Sequence, residues 1–564
     1  MIDEIVRKEI KQMPDYPAPA IVNADCKLNQ NESPFDLPDE LKEKISKAII
    51  SLPLNRYYDG SSTRLKEKLA KKFEVKSGNI LVGAGIDELL YYLVLAFVNK
   101  GDKIVRTVPS FSMYKICSAV AGAKDTVVQL DENFELTEEF VKESEDAKIT
   151  FICRPNNPTG NSFDKKKIER IVQTTSGIVC IDEAYGEFAS ENCLDLLKYK
   201  NVVIMRTFSK IYSGAALRIG YAIADEKIIG YMNKIRLPWN ISLISQVAGE
   251  IILDNEGYFE QNRNFIVSER ERIENEMKKI PGIQVYPSDC NFILFRTLQD
   301  LNTTFQSLLN KGILIRNLER SGMKGFLRVN AGTKQENDAF LACLKSQKID
   351  AVIFDIDGVL VDVSNSYRLA IKKTAEKFLG REVTTGEIDK IKSIAGFNND
   401  WDATYAIVKG VFNQKEIDRN TETYLEIKNE FQNFYLNEFM KNEKLLIKRE
   451  TLQCLKNSNI NLGIVTSRPR EEALSALQQF IPDFLSSEAV VALEDCDEEK
   501  PSAKPLLLAR NRISSVNPIY IGDSINDKLA AERAKIQFIS VVDLIVGNVN
   551  LQDVNELTKF FGGV

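Results

Sequence analysis

Two α/β units in tandem are what this sequence predicts, and three observations predict them. Short apolar runs alternate with stretches of helical spacing along most of the chain. One set of motifs ends near Arg328, and a chemically different set begins at Asp355. The composition, 44% hydrophobic and 27% charged over 564 residues, is that of a folded chain long enough for several sizeable cores.

The elements follow in order. Ile80-Leu-Val, Ile149-Thr-Phe-Ile-Cys, Val179-Cys-Ile and Val202-Val-Ile-Met are continuously apolar, the signature of strands covered on both faces. Residues 61–73, 87–98 and 165–173 carry helical spacing. Their alternation predicts a mostly parallel sheet flanked by helices. From about Ile252 the strands thin out: a long charged helix is expected over 264–280, then short strand pieces at Phe292 and Leu327, together a smaller C-terminal lobe. The second unit opens on Val352-Ile-Phe and continues with strands at Leu462-Gly-Ile-Val, Ile519-Tyr-Ile and Phe538-Ile-Ser-Val-Val. Between its first two strands, residues 363–450 read as a helical cap. The expected domains are 1–347 and 351–564, joined by the short segment Ser346-Gln-Lys-Ile-Asp350, which has neither Gly nor Pro.

Composition excludes several classes of function. The formal charge is −6 with both signs interspersed, so no basic footprint for nucleic acid or an anionic membrane is present. Small molecules are the expected partners. The start, Met1-Ile-Asp-Glu-Ile-Val-Arg-Lys, lacks the apolar core of a signal peptide, and the longest apolar run, Leu89 to Val98, is too short to span a bilayer; a cytoplasmic protein is expected. Nine cysteines fall singly with no Cys-x-x-Cys pair, against a disulfide framework or a zinc site. Histidine is absent, so proton transfer must use Lys, Asp, Glu, Tyr or Arg.

A pyridoxal phosphate enzyme needs a lysine to form an imine, a carboxylate to keep the pyridine nitrogen protonated, and donors around the phosphate. Each has a candidate here. Lys210 follows a predicted strand, with Thr207, Ser209 and Arg218 nearby to hold phosphate. Asp182 ends the strand Val179-Cys-Ile, Tyr185 lies one turn later, and Gly85-Ile86-Asp87 opens a helix whose free N–H groups can bind an anion.

Seven segments in order, Lys27-Leu-Asn-Gln-Asn-Glu-Ser-Pro34, Asn55-Arg-Tyr-Tyr-Asp59, Pro109-Ser-Phe-Ser-Met-Tyr114, Arg154-Pro-Asn-Asn-Pro-Thr-Gly160, Asp182-Glu-Ala-Tyr185, Arg206-Thr-Phe-Ser-Lys210 and Gly312-Ile-Leu-Ile-Arg316, resemble the histidinol-phosphate aminotransferases, fold-type I pyridoxal phosphate enzymes. The resemblance covers nearly all of residues 1–345. It implies that Lys210 carries the cofactor and shuttles the proton, that Asp182 pairs the pyridinium, that Asn157 and Tyr185 contact the ring oxygen, and that Tyr114 stacks on the ring. It also implies that Tyr57 reaches the cofactor phosphate of a partner subunit in a homodimer. Arg316 and Arg328 would hold the carboxylate of glutamate in one half-reaction and the phosphate of the other substrate in the next. The chain departs from the family at Ile86, often a small residue, and at Trp239, where Tyr or Phe is usual.

The second site is equally complete. Phosphoryl transfer to a carboxylate needs a nucleophilic Asp, an acid for the leaving oxygen, a divalent cation and a counter-charge for the transferred group. Asp355 and Asp357 alternate at a strand end with Gly358 making the turn; Thr466 ends the next strand, Lys500 precedes Pro501, and Gly522-Asp523-Ser-Ile-Asn-Asp527 follows another. These elements resemble the haloacid dehalogenase superfamily over about residues 351–545. The resemblance implies Asp355 as nucleophile, Asp357 as general acid and then base, Thr466 and Lys500 as phosphate ligands, and a Mg2+ site drawn from Asp355, Asp357, Asp523 and Asp527. Hard oxygen ligands without Cys or His independently favour magnesium. In the cap, Gly396-Phe-Asn-Asn-Asp-Trp401-Asp offers an aromatic and several amides to a polar ring, with interior packing of Trp401 as the alternative.

An aminotransferase that makes an amino alcohol phosphate supplies a phosphatase with a substrate. The expectation is a bifunctional histidine-biosynthesis enzyme: imidazole acetol phosphate is aminated with glutamate to histidinol phosphate, which is then hydrolysed to histidinol. The alternatives are an aromatic or phosphothreonine-type pyridoxal enzyme fused to a general small-metabolite phosphatase, and a cofactor-binding scaffold without catalysis.

Overall fold

A computed structural model describes residues 2–13, 24–394, 397, 399–484, 486–542 and 549–562. The chain divides into two compact units: Met1–Glu276 with Val285–Phe295 and Ser307–Ala342, and Met277–Gln284 with Arg296–Gln306 and Cys343–Val564. The second unit therefore takes in short stretches that the sequence boundary at 347–351 assigns to the first.

The first unit is built on strands β1 (Ile80–Gly83), β2 (Lys103–Val108), β3 (Lys124–Gln129), β4 (Ile149–Cys153), β5 (Ile178–Asp182), β6 (Val202–Thr207) and β7 (Gly220–Ala224). They form one sheet in the order β1-β7-β6-β5-β4-β2-β3, in which only β7 runs antiparallel to its neighbours. Alternate residues of the same strands feed two separate cores. Ile149, Phe151, Cys180, Val203 and Met205 face one, and Ile152, Val179, Ile181, Val202 and Ile204 the other. A sheet covered on both faces has no polar side, which is why its strands read as unbroken apolar runs.

The charged helix expected over 264–280 spans Glu256–Lys278, starting well before the predicted point. Gly257 weakens the local helical signal, but Phe259 is buried and anchors the first turn. A smaller sheet follows, of β8 (Ile283–Val285), β9 (Phe292–Thr297), β10 (Arg316–Asn317) and β11 (Phe326–Asn330), in the order β10-β11-β9-β8. The antiparallel pairing of β10 with β11 puts Arg316 opposite Arg328.

The second unit contains β12 (Ala351–Phe354), β13 (Val361–Asp362), β14 (Lys444–Leu445), β15 (Asn461–Val465), β16 (Val490–Val491), β17 (Pro518–Gly522), β18 (Gln537–Ser540) and β19 (Val549–Asn550). Six of them make a parallel sheet in the order β16-β15-β12-β17-β18-β19. β13 and β14 instead pair antiparallel, so the cap leaves and rejoins the sheet domain through one two-stranded ribbon. The cap is helical, as expected, with helices Tyr367–Leu379, Thr385–Lys392, Asp400–Lys409 and Glu422–Phe434. It has its own core around Ile371, Phe431 and Tyr435. One sheet-domain core gathers Val352, Phe354, Ile519 and Phe560 together with Leu298 and Ile349, and the Gly282 N–H donates to the Phe560 carbonyl at 3.0 Å. Among the described residues no helix is long and apolar enough to cross a membrane.

Candidate active sites

In the first unit the chemistry collects where the parallel strands end, the edge at which open α/β sheets bind ligands. Asp182 closes β5, Asn157 lies in the turn after β4, Lys210 comes just past β6, and Gly85 caps the helix Ile86–Phe97 after β1. Because β7 is antiparallel, its beginning lies at the same edge and brings Arg218 there.

Lys210 is half-buried, and its ammonium donates to the Gln30 carbonyl at 3.1 Å. Burial, and then the charge of Arg328, push its pKa down to about 8. Asp182 is buried. The Tyr114 hydroxyl donates to its Oδ2 at 2.8 Å and the Ala184 N–H to its Oδ1 at 3.0 Å, yet burial carries its pKa up to about 6. Tyr114 has one ring face on Phe151, at a centroid distance of 4.9 Å, so its visible role is to hold the carboxylate from behind. Tyr185 accepts from Asn31 Nδ2 at 2.9 Å.

Thr207 donates to Ser209 Oγ at 3.0 Å, forming a buried hydroxyl pair. Gly85 has a φ of +83°, and a Cβ there would stand 2.6 Å from Arg218 Nη2. Only glycine therefore lets the guanidinium close over this helix start. Ile86 packs into the core as the first helical residue, and Asp87 lies 3.5 Å from Arg218 Nη2. Burial raises the pKa of Asp87, with Arg218 opposing.

Arg328 is buried with Nη1 on Asn157 Oδ1 at 2.6 Å and Nη2 on the Asn29 carbonyl at 3.0 Å, while its Nε has no partner. Burial takes its pKa down to about 10. A buried guanidinium with no carboxylate on it is built to receive an anion. Tyr57 lies outside this cluster, 81% exposed and stacked on Trp239 at 4.3 Å. The half-buried lysine, the buried carboxylate and the glycine cradle under Arg218 together fit pyridoxal phosphate.

In the second unit Asp355 follows β12, Thr466 follows β15 and Asp523 follows β17, again at one end of a parallel sheet. Carboxylate oxygens of Asp355, Asp523 and Asp527 all lie within 4.8 Å of one another. Asp527 is the most occupied of the three. Its Oδ1 accepts from Lys500 Nζ and the Tyr520 hydroxyl, each at 2.6 Å, and its Oδ2 accepts from the Ser524 N–H and hydroxyl. Lys500 also meets Asp355 at 3.1 Å. Burial opposes the charge of Lys500, but the two carboxylates hold its pKa above the ordinary lysine value.

Burial drives Asp355 well above the usual carboxylate range and, with Asp527 adding repulsion, takes Asp523 up to about 7. Burial acts on Asp527 as well, but Lys500 and its hydrogen-bond donors keep it low. Gly358, with φ +73°, is indispensable here: a Cβ would stand 1.9 Å from Asp523 Oδ2. Hard carboxylate oxygens around a point suit a small divalent cation, which Asp355, Asp523 and Asp527 could hold, with Asp527 also anchoring the lysine beside it.

Asp357 is not part of this cluster. Its Oδ1 accepts from Arg468 Nε at 2.8 Å and Nη2 at 2.6 Å, and its side chain lies outside the three clustered carboxylates. Thr466 Oγ1 accepts from the Arg468 N–H at 3.1 Å. Arg468 is almost fully buried; it also binds both oxygens of Glu443, at 3.2 and 3.1 Å, and lies 4.8 Å from the Tyr367 ring centre. Sequence reading missed Arg468, although a charged residue directly after Thr466-Ser467 at a strand end was a usable signal. It also missed Asn31 and Tyr520.

A cavity of about 730 Å³ opens over Asp355, Asp357 and Asp523 and reaches into the cap. Trp401 is half-buried on its wall with Lys428 Nζ 3.8 Å from its ring centre, so it both packs and lines. Gly396 and Asn398 of the same loop lie outside the described residues.

Comparison with known proteins divides the chain between residues 344 and 352. Residues 24–344 match the family model "Aminotransferase class I and II", and residues 352–541 match "Haloacid dehalogenase-like hydrolase". The histidinol-phosphate aminotransferase of Thermoanaerobacter pseudethanolicus is 40% identical over 350 residues, which are 61% of this chain and 99% of that protein. The crystal structure of the histidinol-phosphate aminotransferase from Clostridium acetobutylicum superposes with a TM-score of 0.53 at 26% identity, covering 57% of this chain and 98% of the other. That of the Sinorhizobium meliloti histidinol-phosphate aminotransferase in complex with pyridoxal-5'-phosphate shares the fold, with a TM-score of 0.55 at 23% identity over 61% of this chain and 97% of its own.

Proposed function

The chain belongs to the class I and II aminotransferases and carries a haloacid dehalogenase-like hydrolase behind that domain, and from this premise we propose that it performs two successive steps of histidine biosynthesis. Imidazole acetol phosphate is aminated with glutamate to histidinol phosphate, and the second domain hydrolyses that ester to histidinol. One observation carries the reading. A chain whose relatives over 24–344 are histidinol-phosphate aminotransferases continues into a second, complete set of phosphate-ester chemistry around Asp355.

In the first site bound pyridoxal phosphate supplies the electron sink. Lys210 would hold the cofactor through its Nζ and, once substrate has displaced it, its amine would take and return the proton of the 1,3-shift, a task helped by a pKa already brought down to about 8. Asp182, braced by Tyr114, keeps the ring nitrogen protonated; Asn157 and Tyr185 face the ring oxygen; Gly85, Ile86 and Asp87 at the helix start, with Thr207, Ser209 and Arg218, hold the phosphate. Arg328 and Arg316, paired across β10 and β11, receive the carboxylate of glutamate or the phosphate of the other substrate. Exposed Tyr57 is assigned to the cofactor phosphate of a second copy, which makes the working form a homodimer in the cytoplasm.

In the second site an Asp355 oxygen attacks phosphorus and the ester P–O bond breaks. Asp357 gives its proton to the departing alkoxide and takes one from the water that later releases inorganic phosphate. Lys500 and Thr466 balance the charge of the transferred group. Mg2+ is the ion assigned to Asp355 and Asp523.

The test is product composition. Wild type supplied with glutamate, imidazole acetol phosphate and Mg2+ yields histidinol and phosphate, whereas Asp355→Asn aminates normally, accumulates histidinol phosphate and releases no phosphate. A wild type that leaves histidinol phosphate intact refutes the reading, and favours a phosphatase serving an unrelated metabolite.

A further inference from the structure

The cavity over Asp355 carries more acidic than basic side chains on its wall, and most of them are matched in place. Asp389 pairs with Arg368, Asp400 with Lys392 at 2.7 Å, and Asp357 with Arg468 at 2.6 Å. Asp355 has Lys500, and Asp523 faces the proposed cation.

Glu472 is the exception. It lies on the helix Arg470–Phe480, directly after the loop that holds Thr466 and Arg468, and lines the cavity. Its carboxylate receives only neutral donors: the Tyr367 hydroxyl on Oε2, and Gln432 Nε2 on Oε1 at 3.1 Å. Among the described residues no Lys or Arg stands within ion-pair distance of it. Arg468, whose charge it feels, already spends its side-chain nitrogens on Asp357, Glu443 and Tyr435. A largely buried carboxylate without a cation is costly to keep, and burial accordingly raises its pKa.

Its position is specific as well. Tyr367 donates to Glu472 and lies under the guanidinium that grips Asp357, so Glu472 borders the place where the leaving oxygen is protonated. An ammonium on the carbon next to the phosphorylated one is the substrate group whose charge this unmatched carboxylate would complement. We propose that Glu472 is the specificity-determining residue of the hydrolase site, and that it binds the ammonium group of a vicinal amino alcohol phosphate. The inference deepens the two-step reading and rests on it for the natural substrate.

The experiment compares wild type, Glu472→Gln and Glu472→Asp on histidinol phosphate, its N-acetyl derivative, 2-aminoethyl phosphate and ethyl phosphate. Wild type is expected to prefer each free amine to its uncharged counterpart by roughly ten- to hundredfold in kcat/KM, the worth of one charge-assisted hydrogen bond. In Glu472→Gln this preference collapses, mainly through KM, and Glu472→Asp restores part of it. A preference that survives in Glu472→Gln overturns the assignment, as does a wild type indifferent to the amine. A wild type that ignores histidinol phosphate yet prefers 2-aminoethyl phosphate to ethyl phosphate, with that preference lost in Glu472→Gln, sinks the pathway reading and upholds Glu472.

Discussion

In the proposed reading the first activity turns on Lys210, and two expectations attach to it. Lys210→Ala abolishes transamination and the visible absorbance of lysine-bound cofactor while phosphatase turnover persists; measured transaminase turnover at the wild-type rate contradicts its role. Burial disfavours its ammonium, so the neutral nucleophilic amine predominates above about pH 8 and not only above the ordinary lysine range. Capture of pyridoxal phosphate by cofactor-free protein should therefore quicken as pH rises through about 8 and level off beyond it. A rise centred at the ordinary lysine value would show the amine to be solvated. Arg328→Ala should weaken glutamate and the phosphorylated substrate alike, by about 2 to 5 kcal/mol each, because one fork serves both anions. A response from one substrate alone separates the two sites. Lys210, Asp182, Asp355 and Asp523 were legible in the sequence because the chemistry demands one residue type at a strand end. Asn31, Glu472 and Tyr520 were not, since what makes each significant is a partner distant in the chain or hidden in the fold.

At the scale of elements, the turn after β12 is the sharpest constraint. Gly358 adopts a left-handed φ and leaves no room for a Cβ beside Asp523. Gly358→Ala should displace Asp523 and lower Mg2+ affinity by roughly ten- to hundredfold, the range seen when groups supporting a metal ligand are lost. Titration of phosphatase activity with Mg2+ reads this directly, with the transaminase rate as internal reference; an unchanged titration would mean that Asp523 does not bear the ion. The long strands and their neighbouring helices were readable because burial on both faces writes itself as apolar runs. β13, β14, β16 and β19 are two residues long and carry no period at all. Only pairing with a neighbour defines them, so sequence reading saw the cap but not the ribbon that bounds it.

At the scale of the molecule, the compact units do not follow the family boundary. Leu298 is fully buried in the same core as Val352, Phe354 and Phe560, and Gly282 hydrogen-bonds Phe560. Residues 351–564 made alone should therefore be less stable than the same residues in the intact chain. Exposing the place filled by Leu298 costs about 1.5 to 3 kcal/mol by itself. Denaturant unfolding followed by loss of phosphatase activity gives the comparison, and equal midpoints would show that the shared core contributes nothing. The junction looked like a clean cut in the sequence because a linear reading cannot see a core assembled from stretches on both sides of it.

Arg468 ties Asp357, at the end of the sheet, to Glu443, where the cap rejoins the ribbon. One guanidinium is thus gripped from the sheet edge and from beside the ribbon at once. Removing either carboxylate would loosen the cation that orients the other, so the ribbon and the proposed proton donor form a single electrostatic unit.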